Sequence, residues 1–266
     1  MKQDDRDPRP ARAGECVDRR QFLATATGLA SAALLGKGSA AGAAPAAPLA
    51  MNGGPPVRAT LLEAKLPGPQ YYDADERREL LEVLDNRSPF RWWGSDPQGK
   101  PPDKCINFEK EFAAHRHTKY CVAVTSGTTA LMTAMAGLDV GPGDEVILPA
   151  WTWYACYDAI LFAGALPVFA EIDESMNLDP TDIERCITPR TKVIMAVHIL
   201  GAPAAMDPIL EIARRRKVKV LEDCAQSVGG KYQGRPVGSM GDCGIYSFQF
   251  NKTISPGEGG AVVTSD

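Results

Sequence analysis

The chain has 266 residues, of which 44% are apolar and 23% charged, and a net charge of −4. That is the make-up of a soluble globular protein of one large domain or two small ones. The acidic balance leaves no electrostatic footprint for nucleic acid. Seven cysteines, at 16, 105, 121, 156, 186, 224 and 243, form no C-x-x-C pair and have no His-rich neighbour. They predict neither a metal site nor a disulfide framework, and their scatter through apolar segments reads as mostly buried thiols.

The first fifty residues read as lying outside the fold. Residues 1–20 are polar and arginine-rich; D-R-R-Q-F-L follows at Asp18 to Leu23, then a weakly apolar run from Phe22 to Leu35 and the small residues S-A-A-G-A-A-P-A-A. This is the charged, apolar, small-residue order of an export signal. The Arg19-Arg20 pair before Phe22-Leu23 resembles a twin-arginine signal. The apolar run is too short and too rich in Ala, Thr and Gly to span a membrane, which takes roughly 20 apolar residues. Residues 1–43 are therefore expected to be a twin-arginine-type export signal, cut at an A-x-A such as Ala41-Gly42-Ala43. The alternative is a disordered extension on a cytoplasmic protein.

Residues 44–70 are rich in Pro, Gly and Ala and read as a linker running into an extended arm. Asp75 to Asn86 predicts a short helix with Leu80, Leu81 and Leu84 as its stripe. The loop S-P-F-R-W-W-G-S at 88–95 reads equally as a pocket lining or as a plug over the core. Cys105 to His117 predicts a helix anchored by Ile106, Phe108 and Phe112. Strands are then predicted at Tyr120–Val124, Glu145–Pro149, Pro167–Glu171, Lys192–His198 and Val218–Glu222. Helices are predicted between them at Gly127–Gly137, Tyr154–Gly164, Asp179–Ile187 and Met206–Lys217. Such alternation predicts an α/β fold of three layers, a mainly parallel sheet with helices on both faces. Its ligand site lies outside the carboxyl ends of the strands.

Four motifs fall at such ends. V-T-S-G-T-T-A-L (124–131) joins a strand to a helix. Gly127 permits close approach, and the helix N-terminus favours an anion, although Ser126 or Thr128 also reads as a plain N-cap. P-A-W-T-W-Y-A (149–155) offers aromatics that either stack on a flat ring or pack in the core. V-L-E-D-C-A-Q-S (220–227) ends a strand in an acidic pair. Residues 242–266 run from a short strand, Gly244 to Phe248, through Lys252 and a glycine-rich turn into a second strand. Lys252 is the one charged side chain between Asp242 and Glu258. It sits among Phe248, Phe250 and Ile254, where desolvation disfavours the ammonium and favours a nucleophilic amine, although taken alone it reads first as an ordinary surface lysine at a loop tip. His198, at the end of a strand, reads as structural first.

From about Tyr71 to Asp266 these motifs, in this order, resemble the DegT/DnrJ/EryC1/StrS sugar aminotransferases. S-F-Q-F-N-K followed by G-E-G-G-A-V-V-T is similar to that family's lysine segment. The resemblance implies a fold-type I enzyme dependent on pyridoxal phosphate, with residues 71–266 as its cofactor-binding large domain. By the same resemblance Lys252 forms the Schiff base, and Asp223 pairs with the protonated pyridine nitrogen to keep the ring an electron sink. Gly127, Thr128, Thr129 and Ser247 are assigned to the phosphate, Trp153 to the ring face and Gln226 to the side of the phenolic oxygen. The implied reaction moves an amino group from glutamate or glutamine to a keto sugar, nucleotide-linked, or to a keto-cyclitol. A homodimer with a shared active site is implied as well. Family members continue into a smaller C-terminal domain, which the resemblance implies is missing after Asp266. Sugar dehydration on the same fold and a catalytically inactive, exported binding protein remain alternatives. Lys252 speaks against dehydration, because the dehydrating branch carries histidine there. A nicotinamide enzyme is disfavoured, since no G-x-G-x-x-G follows the first strand.

Overall fold

The computed structural model describes residues 54–55, 72–91, 99 and 102–266. The chain divides into two compact units, Met1–Ala64 and Lys65–Asp266, and every element below belongs to the second. The expected export signal, nearly all of the expected linker, and Trp92 and Trp93 lie outside the described residues.

Two helices come first. Helix α1 (Ala74–Asp85) opens on a capping box, with the Asp73 side chain bound to the first turn and Glu76 reaching back to the cap amide. Helix α2 (Lys104–Arg116) ends at His117 in a left-handed conformation, φ 58°, and buries Phe112, Ala113 and Arg116. The Lys104 ammonium ties the two together through Glu79 and Glu82.

The alternating part follows. Strands are β1 (Tyr120–Val124), β2 (Glu145–Pro149), β3 (Leu166–Ala170), β4 (Thr191–Val197) and β5 (Lys219–Asp223). Between them lie α3 (Gly127–Gly137), α4 (Tyr154–Phe162), α5 (Pro180–Cys186) and α6 (Met206–Arg216). The two-residue strands β6 (Lys231–Tyr232) and β7 (Arg235–Pro236) form a small hairpin that the sequence reading did not resolve. β8 (Cys243–Ser247) and β9 (Gly260–Thr264) flank the lysine loop.

Seven strands join in the order β1-β9-β8-β5-β4-β2-β3. β8, β5, β4, β2 and β3 run parallel, and β9 lies antiparallel between β8 and β1. The carboxyl ends of six strands therefore share one edge, from which β9 alone starts. The sheet is mainly parallel with helices on both faces, as expected.

Alternation along the strands assigns the faces. Val146 and Leu148 of β2, Val193, Met195 and Val197 of β4, Leu221 of β5 and Ile245 of β8 pack with α3 and α4. Ile147, Ile194, Ala196 and Val220 point the other way, into a cluster with α5 and α6. Helix α2 covers Tyr246, Ala261 and Val263 through Phe112. Each fully buried aliphatic chain contributes about 1.5–3 kcal/mol. Ile147→Ala in the middle of the sheet costs about 2–5 kcal/mol.

The outer edge of β1 is closed by side chains. Glu109 accepts the Ala123 N–H at 2.7 Å and Arg91 donates to the Ala123 carbonyl at 2.9 Å. The two side chains also pair with each other. Arg91, which the sequence placed between pocket lining and plug, is thus engaged at this strand edge. Among the described residues no helix is long and apolar enough to cross a membrane.

Candidate active site

The face assignment extends one step past the core to the functional residues. Asp223 follows Leu221 by two positions and Ser247 follows Ile245 by two. Both therefore lie on the side of α3 and α4, at the carboxyl edge.

The anion cradle is built first. Ser126 caps α3: its hydroxyl accepts the Thr129 N–H at 3.1 Å, and the Thr129 hydroxyl accepts the Ser126 N–H at 2.9 Å. The Thr129 hydroxyl also donates to the Ser126 carbonyl at 2.9 Å. The amide and hydroxyl of Thr129, which the resemblance assigns to the phosphate, are both engaged inside the cap. The amides of Gly127 and Thr128 and the exposed Thr128 hydroxyl have no partner among the described residues. A Cβ on Gly127 would fall 2.6 Å from Ser247 Cβ and 2.8 Å from its Oγ, so glycine there brings the helix end against the buried serine. Gly260 packs as closely, since a Cβ on it would meet the Ser126 carbonyl at 2.3 Å. Gly127, Thr128 and Ser247 are thus brought together, with the positive end of α3 at their centre.

Asp223 lies at the end of β5, 3% exposed. Its Oδ1 accepts the Ala225 N–H at 2.9 Å and its Oδ2 accepts the Cys156 S–H at 3.2 Å. It has no salt bridge among the described residues. Burial raises its pKa; the Ala225 and Cys156 hydrogen bonds and the charges of Lys252 and His198 lower it in part. A buried carboxylate held by one amide and one thiol, with no cation in contact, is set to pair with a cationic ligand.

Gln226 accepts the Leu200 N–H on Oε1 at 2.9 Å. That bond orients the amide and leaves its NH2 group as a free donor. Leu200 holds this geometry in a left-handed conformation, φ 48°. Trp153 lies in the connection after β2 as the N-cap residue of α4, is 58% exposed, and has its ring 4.9 Å from that of Tyr154 at 36°. Trp151 is as open, at 53%. Exposure alone does not separate the two, and the position next to the helix start favours Trp153.

Lys252 is half-buried on the turn after β8, where its N–H donates to the Gln249 carbonyl at 2.8 Å. The apolar wall expected around it is one-sided: Phe248 is buried, but Phe250 and Ile254 are 48% and 47% exposed. The loop is tied down beyond it. The Tyr72 hydroxyl donates to the Ser255 carbonyl at 3.0 Å, and the Ser255 hydroxyl to the Phe248 carbonyl at 2.8 Å.

His198 and Glu222 form a buried knot beneath this edge. The Ala204 N–H donates to His198 Nδ1 at 3.0 Å, so Nε2 carries the proton and donates to Glu222 Oε2 at 3.1 Å. Glu222 also accepts the N–H groups of Gly238, Met240 and Gly241 at 2.6–2.8 Å. His198, Glu222 and Cys224 lie close enough to suggest a metal site. The ring and carboxylate atoms are all occupied by these bonds, which makes the knot structural. Sequence reasoning missed the role of Glu222. The signal was its place beside Asp223 on a strand, which sends the two carboxylates to opposite faces.

Comparison with known proteins agrees with this geometry. Residues 95–266 match the DegT/DnrJ/EryC1/StrS aminotransferase family. The chain is 43% identical over 195 residues to GDP-perosamine synthase of Caulobacter vibrioides, covering 73% of this chain and 50% of that protein. It is 41% identical over 225 residues to L-glutamine:2-deoxy-scyllo-inosose aminotransferase of Micromonospora echinospora, covering 82% and 50%. The crystal structure of an aminotransferase from Psychrobacter cryohalolentis superposes with a TM-score of 0.69 at 38% identity, covering 74% of this chain and 48% of that one. The chain spans about half the length of the curated relatives it matches. By the extent of the family match and the identity to these relatives, the chain belongs to the DegT/DnrJ/EryC1/StrS aminotransferase family.

Proposed function

We propose that this chain is the cofactor-binding part of a pyridoxal phosphate-dependent aminotransferase that aminates a keto sugar, nucleotide-linked, or a keto-cyclitol. The observation that carries the reading is the fit of four separate features to one small ligand. An anion cradle (Gly127, Thr128, Ser247), a buried carboxylate with no salt bridge among the described residues (Asp223), an oriented amide donor (Gln226) and a lysine (Lys252) all border one edge of the sheet. Pyridoxal phosphate is a phosphate monoester with a basic ring nitrogen, a phenolic oxygen and an aldehyde, and it supplies an electron sink for carbanions formed next to nitrogen.

The residues divide the work. The free amides of Gly127 and Thr128, with the Thr128 and Ser247 hydroxyls, bind the phosphate. Asp223 would hold positive charge on the ring nitrogen, and its burial would keep water from screening that charge. The Gln226 NH2 group would donate to the phenolic oxygen, and Trp153 would cover the ring. Lys252 would join the aldehyde carbon through Nζ with loss of water, and its amine, when free, would take up and return the proton moved in amino transfer. Glutamine or glutamate as donor fits the relatives, one of which is named for glutamine and a keto-cyclitol.

Three further expectations belong to this reading. The active unit is a homodimer whose partner completes the substrate side of the site. The half-exposed Trp151, Trp153, Tyr154 and Phe250 at the open edge support it. Residues 1–43 direct export by the twin-arginine route to an extracytoplasmic site, supported by the order of Arg19-Arg20, apolar run and small residues. Residues 71–266 make up the cofactor-binding domain.

The test is a transfer assay with 15N-amide glutamine or 15N-glutamate against a panel of nucleotide-linked keto sugars and scyllo-inosose. Label appearing in an aminated sugar or cyclitol, and not with Lys252→Ala, supports the proposal. Cofactor binding without transfer to any acceptor would favour the binding-protein alternative.

A further inference from the structure

Cys156 is 1% exposed, at the third position of α4, and its thiol meets two groups. Asp223 Oδ2 lies 3.2 Å away and Thr152 Oγ1 3.0 Å away. Thr152 and Cys156 are four residues apart, one turn on the same side of the helix start. A carboxylate accepts only, so the S–H points to Asp223. The Thr152 hydroxyl must then donate to Sγ. Burial and the facing carboxylate push the thiol pKa well up, so the group stays a protonated donor.

We propose that Cys156 is a positioning residue: held by Thr152, it donates to Oδ2 of Asp223 and fixes the carboxylate in the orientation that meets the cofactor's ring nitrogen. The proposal rests on the cofactor reading above. With the Ala225 N–H on Oδ1 and the thiol on Oδ2, each oxygen has one fixed donor, and neither donor is a cation that would compete with the ring. The hydroxyl–thiol–carboxylate series also fastens α4, the helix for which Trp153 is the N-cap residue, to the end of β5. A shift of that carboxylate by a fraction of an ångström matters, because such sites tolerate only about 0.5 Å of error.

The test uses the 266-residue protein with Cys156→Ser, Cys156→Val and Thr152→Val, each first checked for folding by urea unfolding. The first readout needs no cofactor. The infrared S–H band removed by Cys156→Ser should lie below that of unbonded thiols, and should move up in Asp223→Asn. The second readout is the dissociation constant for pyridoxal phosphate, from fluorescence titration. Cys156→Val should weaken binding about tenfold, in keeping with loss of a hydrogen bond to a charged group. Cys156→Ser should stay within about threefold of the unaltered chain, because the serine hydroxyl also donates, and Thr152→Val should fall between. An unshifted S–H band, or valine and serine variants that bind alike, would overturn the proposal. A shifted band in a chain that does not bind pyridoxal phosphate would keep the thiol–carboxylate contact and remove the cofactor reading instead.

Discussion

Gly127→Ala isolates the geometry of the anion cradle from everything else in the site. The added methyl would sit 2.6 Å from Ser247 Cβ, 2.8 Å from Oγ and 3.3 Å from Cα. Contacts under 3 Å force a shift, and Ser247 is 5% exposed in the strand that leads to Lys252, so it has little room to move. Overpacking of this kind costs about 1–3 kcal/mol. For a domain of this size that lowers Tm by about 2–4 °C per kcal/mol. Gly137→Ala, at the other end of the same helix, meets nothing within 4 Å. It should stabilise by up to about 1 kcal/mol through helix propensity alone. The same chemical change in one helix thus has opposite signs at its two ends. Thermal unfolding of both variants reads the sign, and a phosphate or pyridoxal phosphate titration reads the cradle. A Gly127→Ala protein as stable as Gly137→Ala, with ligand affinity unchanged, would refute the packing of α3 on Ser247.

Three other outcomes follow from the structure. Glu222→Gln presents an NH2 group to donors that now meet an oxygen, so it should cost about 1–3 kcal/mol for each donor left unpaired; urea unfolding measures it. Asp182 has its pKa lowered to about 2, first by the Arg185 guanidinium and then by the Glu171 amide. A lowered folded pKa means stability that is present above the unfolded value near 4 and lost as pH falls toward 2; Asp182→Asn should flatten that part of the stability profile in acid titration. Gln226→Leu removes both the acceptor for Leu200 and the free NH2 group. It should weaken pyridoxal phosphate binding by about tenfold with little change in Tm, and Gln226→Glu, which keeps the acceptor for Leu200 but turns a carboxylate toward the phenolic oxygen, should lose at least as much.

Most of the architecture is legible in the chain, for a local reason. β1, β2 and α3 have the predicted limits because each is bounded by strong punctuation: Ser126-Gly127 between strand and helix, and Pro149 at a strand end. β3, β4 and β5 shift by one residue, where neighbouring strands rather than local sequence set the ends. The β6–β7 hairpin escaped because two-residue strands leave no period to read.

At the site, what depends on backbone position was visible, and what depends on long-range side-chain bonds was not. The places of Gly127 and Asp223 at strand ends can be read from the chain, while the roles expected of them come from the family resemblance. The Cys156–Asp223 contact joins residues 67 apart, across two layers, and has no sequence signature. The part of Thr129 in the cap was not visible because its capping box uses threonine where the usual pattern has Glu or Gln. The surroundings of Lys252 were misread because three apolar neighbours in sequence do not share one side of a turn.

The central claim is that Lys252 binds pyridoxal phosphate at the edge where Asp223 and the α3 cradle meet. The most direct measurement is borohydride reduction of the protein with pyridoxal phosphate, followed by peptide mass mapping, beside Lys252→Ala. The account predicts one reduced adduct, on Lys252, absent from the variant and diminished by Asp223→Ala. Adducts spread over surface lysines, with Lys252 no more labelled than the others, would contradict it.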